Sequence, residues 1–136
     1  MKIRSVSVVA PVYNEVDSID PFCETVFGVL EQLKLEHEVI MVDDGSNNGS
    51  LERLRAQAAR HPKLMVLSLR RNFGQTAALM AGIDHAANEV ILSIDADLQN
   101  DPHDIPRLLE KIAGGYDIAV HVRSVCEYAE YILRIL

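Results

Sequence analysis

An α/β domain with a mostly parallel sheet flanked by helices is the fold class this sequence predicts, and three observations predict it. Short apolar runs rich in β-branched residues alternate with stretches of helical periodicity, four times over. The runs are nearly continuous in their apolar character, as strands covered by helices on both faces must be. Polar clusters follow each of the first four runs, whereas turns leading back into strands, such as "KLEHE" and "RHPK", are unremarkable.

In order along the chain, "SVSVVAP" (5–11) is the first strand, and "VYNEVDS" breaks it. Ile19, Phe22, Val26, Leu30 and Leu33 then fall at helical spacing, with Asp17 or Ser18 as N-cap. "HEVIMVD" (37–43) is the second strand, "DGSNNGS" a loop by composition, and a short helix runs through Leu51, Leu54 and Ala58. "KLMVLSL" (63–69) is the third strand, "RRNFG" its exit, and the Ala-rich "QTAALMAGIDHAA" the next helix. "EVILSID" (89–95) is the fourth strand, followed by an acidic loop and the helix "HDIPRLLEKIAGG", which Gly-Gly stops. "YDIAVHV" (116–122) reads as a fifth strand, and right-handed crossovers would join all five into one domain over 1–123. In the tail, Val125, Tyr128, Ala129, Ile132 and Leu136 also sit at helical spacing. That spacing predicts an amphipathic helix over 124–136, able to cover a sheet edge, pair two copies of the chain or touch a membrane surface.

The totals narrow the classes of function. At 136 residues, 49% of them apolar, the chain is one domain with enough material for a core. Thirteen Lys and Arg against 20 Asp and Glu leave a net charge of -7, which argues against nucleic acid as a partner. The dense basic spots are Arg70-Arg71 and the set Arg53, Arg55 and Arg60, the second of which fits a solvated helix face. Cys23 and Cys126 stand far apart with no CxxC, so a reduced, disulfide-free, cytoplasmic protein is expected. The opening "MKIRSVSVVAPVYNE" mimics a signal peptide only until Asn14 and Glu15 cut its apolar run, and no small-residue cleavage site follows. No run approaches the about 18 apolar residues of a membrane span. "NGS" at 48–50 reads as a turn.

Ligands of parallel sheets bind beyond the carboxyl ends of the strands. Here those ends release "PVYNE", "DDGS", "RRNFGQ" and "DADLQND". Neither GxGxxG nor GxxxxGK[ST] is present to cradle phosphate with backbone. A diphosphate could instead be held through a hard cation, Mg2+ or Mn2+, which takes carboxylate and amide oxygens and often only one or two carboxylates. Asp95 and Asp97, two apart on an extended exit, can reach one ligand, and Gln99 lies at the next same-side position. An EF-hand is excluded by Asn100 where glycine should turn and Pro106 where the closing Glu should stand. Taken singly, Asp95 and Asp97 also read as an acidic turn, and Asp43-Asp44 as a turn-forming pair before Gly45.

Together "SVVAPVYNE", "VDDGS", "RRNFGQTAALMAGIDHA" and "DADLQNDPHDIPRLLEKIAGGYD" resemble the family 2 glycosyltransferases of GT-A fold. More narrowly they resemble the polyprenyl-phosphate glycosyltransferases, from about Ser5 to Asp117, in the family's order and spacing. The resemblance implies a Rossmann-like GT-A nucleotide-binding half. It implies transfer of a sugar, with inversion and with the help of Mg2+ or Mn2+, from a UDP- or GDP-sugar to a polyprenyl phosphate at the cytoplasmic face of a membrane. It places Pro11, Tyr13 and Glu15 in the nucleotide pocket, with Asp44 accepting from the base, Asp43 supporting it or the ribose, and Arg71 near the donor, where a plain surface ion pair competes. Asp95 would sit by ribose and metal, Asp97 would be the main metal ligand with a catalytic part, and Gln99 an auxiliary ligand. Gly74 would serve tight packing, and Phe73 and Leu98 would be core. His85, His103 and His121 read as solvated or half-buried polar residues.

Beyond Asp117 the pattern departs from the family. Arg123 keeps a matching distance for an acceptor-phosphate contact with a catalytic part, but Val120 and His121 stand where small residues are usual. The acceptor-side half and membrane segments of relatives have no counterpart in these residues. Other enzyme classes fit less well: a nucleotidyltransferase needs a glycine-rich loop after strand one, and a receiver domain needs its acidic pair there. The alternative to a transferase is a degenerate or truncated module that binds a nucleotide or a partner without turnover.

Overall fold

The computed structural model describes residues 2–115 and, as strand backbone, 118–122 and 129–134. Its elements are β1 (Ser5–Val12), α1 (Ile19–Leu33), β2 (Glu36–Asp43), α2 (Ser50–Arg60), β3 (Leu64–Ser68), α3 (Gln75–His85), β4 (Val90–Ser93), α4 (Ile105–Ala113), β5 (Ile118–Val122) and β6 (Ala129–Arg134). A 3-10 turn, Pro102–Asp104, leads into α4. The sheet runs β3-β2-β1-β4-β6-β5. β1 pairs in parallel with β2 and β4, and β2 with β3, so the parallel four-stranded sheet flanked by helices is present as predicted.

Two features of the sheet differ from the expectation. β6 lies antiparallel between β4 and β5, so the fifth strand is not the next neighbour of the fourth. Over Ala129–Arg134 the expected tail helix is therefore a strand, and the helical surface on which self-association was expected is absent there. A short apolar run reads equally well at helical or strand period, and "AEYILR" carries the aromatic and β-branched residues that strands favour. β6 also gives the outer edge of β4 the backbone partners an open edge lacks.

Burial follows the two-residue period of strands. Val6, Val8, Ala10 and Val12 of β1, with Val39 and Met41 of β2, face one core, shared with Phe22, Val26 and Leu30 of α1 and Ile105 and Ile112 of α4. Val9, Ile40, Val42 and Ile91 face the other, under α3. A Cβ at Gly82 would collide with Val9 Cγ1, so α3 lies against the sheet where it carries no side chain. Ser18 does stand at the N-cap of α1, but its hydroxyl donates back to the Glu15 carbonyl and carboxylate and makes no cap. Arg53, Arg55 and Arg60 are exposed on α2, where Arg53 pairs with Asp20 at 3.0 Å. Among the described residues no helix is long and apolar enough to cross a membrane.

Cys23 is fully buried in α1 and donates to Met41 Sδ at 3.6 Å. Burial, and then the charge of Asp20, push its thiol up from 9.0 to about 12. Between those two values the unfolded chain gives up the proton while the native state keeps it. Stability is therefore intact below pH 9.0 and lost as pH rises toward about 12. The expected slope is about 1.4 kcal/mol per pH unit in that window. Urea unfolding at successive pH values, with Cys23→Ala beside the parent, checks it: the variant's curve should lack that part of the slope.

Candidate functional site

All four strand exits open onto one cleft of about 300 Å3 at the carboxyl edge of the parallel strands. From β1 come Pro11, Val12, Tyr13 and Glu15, and from β2 comes Asp44. The exit of β3 contributes Asn72, Gly74 and Gln75, and that of β4 contributes Asp95, Ala96 and Asp97.

The first two exits are laced together. Asn14 turns through a left-handed φ of 52°. Its N–H donates to Ser46 Oγ at 2.9 Å, and its Oδ1 accepts from the Asn47 N–H at 2.9 Å. The Glu15 N–H donates to the buried Ser50 Oγ at 3.1 Å, which in turn donates to Asn48 Oδ1 at 2.6 Å. These bonds hold Glu15 at the cleft and leave Tyr13 half exposed at its mouth.

The second and third exits are joined by Asp44. Its Oδ1 accepts from the Phe73 N–H at 2.8 Å and its Oδ2 from the Gly74 N–H at 3.1 Å. Gly45, at φ +74°, runs directly against the Arg71–Asn72 backbone. Asp43 is buried just behind: its Oδ2 accepts from the Ser46 N–H at 3.3 Å, and its Oδ1 has no hydrogen-bond partner. The Arg71 guanidinium rests over the Phe73 ring, 4.2 Å from its centre.

The fourth exit alternates. Ile94 and Ala96 are buried, while Asp95 and Asp97 are partly exposed and enter the cleft. The Ile94 N–H still bonds the Val9 carbonyl at 3.0 Å, and the chain then turns at Ala96–Asp97, with both carboxylates lining the cleft. Leu98, at φ 64°, then ends the alternation. The Gln99 N–H folds back onto Asp97 Oδ1 at 3.0 Å, and Gln75 Nε2 donates to Asp95 Oδ1 at 3.0 Å.

The cleft thus brings together Pro11, Tyr13, Glu15, Asp44, Asp95 and Asp97. Its lining omits Asp43, Arg71 and Gln99, and Arg123 lies outside the described residues. Leu98, at φ 64°, breaks the two-residue period on which Gln99 was read as the next same-side position. Among the described residues Arg71 joins no ion pair and stacks on an aromatic ring. Phe73 and Leu98, expected in the core, are 50% and 44% exposed. Gly74 serves its φ of 102°, since a Cβ there would meet nothing within 4 Å. Asn72 and Gln75 also line the cleft, and in the sequence only the polar character of "RRNFGQ" marks them. His85 and His103 are exposed as expected, His103 paired with Asp101 at 2.7 Å.

Four carboxylates line this space, and three of them, Glu15, Asp95 and Asp97, act on one another. Burial raises the Asp95 carboxyl above its ordinary value, Asp97's charge raises it further, and the Gln75 hydrogen bond lowers it. Burial likewise raises Glu15, the Ser18 hydrogen bond offsets part of that, and Asp97 and Asp95 add to it. Among the described residues no group of three or more His, Cys, Asp or Glu side chains is arranged to hold a metal ion by itself. Two carboxylates from one short exit, both lining the cleft, nevertheless fit a hard divalent cation whose remaining positions a ligand's oxygens or water would fill. The native state therefore holds the Asp95 and Glu15 protons more tightly than the unfolded chain. The stability tied to them is present below 3.8 and 4.5 respectively, and is lost as pH rises above those values. Asp95→Asn is accordingly expected to raise the thermal midpoint slightly at pH 7 in chelator-treated buffer, since it removes a charge that burial and Asp97 disfavour. Calorimetric melting of the two proteins checks it.

Comparison with known proteins agrees with this fold. A family model described as glycosyl transferase family 2 matches residues 7–134. An undecaprenyl-phosphate 4-deoxy-4-formamido-L-arabinose transferase of Aeromonas hydrophila is 46% identical over 122 residues, 89% of this chain and 37% of that protein. Its counterpart in Pseudomonas fluorescens is 43% identical over 123 residues, 90% of this chain and 36% of that one. The chain therefore spans a little over a third of the length of these relatives. Among solved structures, a mannosyltransferase from Pyrobaculum calidifontis in complex with GDP-Man and Mn2+ matches with a TM-score of 0.69 at 27% identity, over 79% of this chain and 32% of that one. The glucosyl-3-phosphoglycerate synthase of Mycobacterium tuberculosis, in complex with UDP, shares the fold with a TM-score of 0.68 at 22% identity, over 96% and 57%.

Proposed function

The chain belongs to glycosyl transferase family 2, and on that premise we propose that the strand-end cleft is the donor site of a metal-dependent, inverting glycosyltransferase. The sugar would pass from a UDP- or GDP-sugar to a polyprenyl phosphate presented at a membrane surface. The observation that carries the reading is the fourth exit. Asp95 and Asp97 project together into a cleft that already holds Glu15, with no glycine cradle for phosphate nearby.

In this reading Tyr13 lies against the base and Pro11 shapes the pocket floor. Asp44 accepts from the base ring N–H; each of its oxygens already takes one backbone N–H and keeps a second lone pair for that purpose. Asp43 supports the loop beneath through Ser46. Asp97 and Asp95 hold the cation, with Asp95 also beside the ribose. When bound, Mg2+ or Mn2+ supplies Lewis-acid and charge-neutralising chemistry for the departing diphosphate. An acceptor phosphate is already anionic near neutral pH, so this chain's residues need not remove a proton from it. Arg123 would steady that phosphate.

Titration calorimetry with UDP and GDP, each with and without Mn2+, tests the donor site. One nucleotide should bind, and far more tightly with the metal than without it; failure of both in folded protein would overturn the reading. Incubation with the matching nucleotide-sugar and a polyprenyl phosphate then separates a transferase from a module that binds without turnover.

A further inference from the structure

We propose that Gln75 is a positioning residue for the metal-binding carboxylate: its side-chain amide fixes Asp95 Oδ1 and so orients the other oxygen toward the cation. This deepens the donor-site reading above and rests on it. Gln75 is the first residue of α3 and an exposed lining residue of the cleft, and its Nε2 donates to Asp95 Oδ1 at 3.0 Å. Asp95 belongs to a different exit, 20 residues along the chain, so the bond ties the start of α3 to the end of β4.

The placement of Gln75 is itself determined. Gly74, immediately before it, has its N–H held by Asp44 Oδ2 at 3.1 Å, and the Phe73 N–H is held by Asp44 Oδ1 at 2.8 Å. The Gly74 carbonyl accepts the Ala78 N–H at 3.1 Å, which starts α3. Asp44, on the exit of β2, therefore fixes the segment from which Gln75 reaches Asp95 on the exit of β4. A carboxylate on a chain leaving the sheet can rotate about its side-chain bonds. One donor on one oxygen removes much of that freedom and leaves the second oxygen free to bind the cation. Hydrogen bonds to metal-ligating groups do this generally, and their loss lowers metal affinity by about 10–100-fold.

The test uses Gln75→Met, which keeps length and helix propensity but removes the donor, with Gln75→Ala as a second variant. Mn2+ affinity is read by electron paramagnetic resonance at saturating UDP or GDP, whichever the parent binds. Nucleotide affinity without metal and the thermal midpoint are read alongside. Both variants should weaken Mn2+ by about tenfold or more, leave metal-free nucleotide affinity within about twofold and keep the midpoint, because exposed substitutions seldom perturb stability. A merely structural role would shift all three together, and that result would overturn the proposal. In the metal-free chain, the Gln75 side-chain amide resonance should move on Asp95→Ala. No movement would mean that the bond is not formed in solution, and the proposal would fall. If the parent binds neither nucleotide with Mn2+, the donor-site reading falls and takes the inference with it. If the parent binds and the variants match its Mn2+ affinity, the inference alone is wrong.

Discussion

Asp97→Asn is expected to lower Mn2+-dependent nucleotide affinity by at least about 100-fold, since losing a ligand costs no less than losing an outer partner of one. The substitution changes little else. Asn keeps the Oδ1 that accepts the Gln99 N–H at 3.0 Å, so the turn after Asp97 survives. Ile94 and Ala96, buried on the opposite side of the segment, still anchor the exit. What disappears is one negative charge from a space where Asp97 already presses on both Asp95 and Glu15. Without metal the variant should therefore be no less stable than the parent. With metal it should gain little of the midpoint rise that a ligand confined to the native state confers on the parent. Calorimetric melting with and without Mn2+ and nucleotide reads both effects in one series.

Gly45→Ala is expected to be the most damaging single methyl group near the cleft. A Cβ there would overlap the Arg71 carbonyl carbon and the Asn72 nitrogen, with Arg71 Cα 2.9 Å away. All three are backbone atoms, which cannot swing aside as a side-chain end can. Gly45 also sits at φ +74°, where a Cβ is strained whatever the space. Left-handed strain of about 1–2 kcal/mol and overpacking of about 1–3 kcal/mol together give a loss of about 2–5 kcal/mol. That is a large share of a domain's total of about 5–15 kcal/mol. Gly49→Ala is the control, because Gly49 has φ +91° but meets only Val16 Cγ2 at 3.9 Å, and should show the strain alone. Urea unfolding of the two variants separates clash from strain. Relief of the clash would displace the third exit, so nucleotide binding should weaken in Gly45→Ala even where the protein remains folded.

The sequence shows the fold class and the edge that carries the site, because both follow from local pattern. Apolar runs such as "VIMV" and helical spacings such as Phe22, Val26 and Leu30 are one-dimensional signals of burial. The alternation of Asp95 and Asp97 with Ile94 and Ala96 is another, and it led to the fourth exit. What was not legible depends on where backbone turns and which strands meet. Leu98 adopts a left-handed φ that nothing in "DADLQ" announces, and it ends the two-residue period from which the place of Gln99 was read. The tail's spacing fits a helix, yet over Ala129–Arg134 the unpaired edge of β4 draws it into the sheet. Asp44 looked like a ligand contact and is also a brace for the third exit, since its amide partners lie 29 and 30 residues away. Gln75 was visible as one of several polar residues, but only the fold shows that it meets Asp95.

The central claim is that the strand-end cleft binds a nucleoside diphosphate through a cation held by the "DADLQ" exit. The most direct test is an amide NMR spectrum of the chain with UDP or GDP and a trace of paramagnetic Mn2+. The account predicts nucleotide-dependent broadening centred on Asp95, Ala96 and Asp97 and reaching Glu15 and Gln75 across the cleft, with Asp97→Asn abolishing it. Broadening that centres elsewhere, or that is unchanged in Asp97→Asn, would contradict the claim.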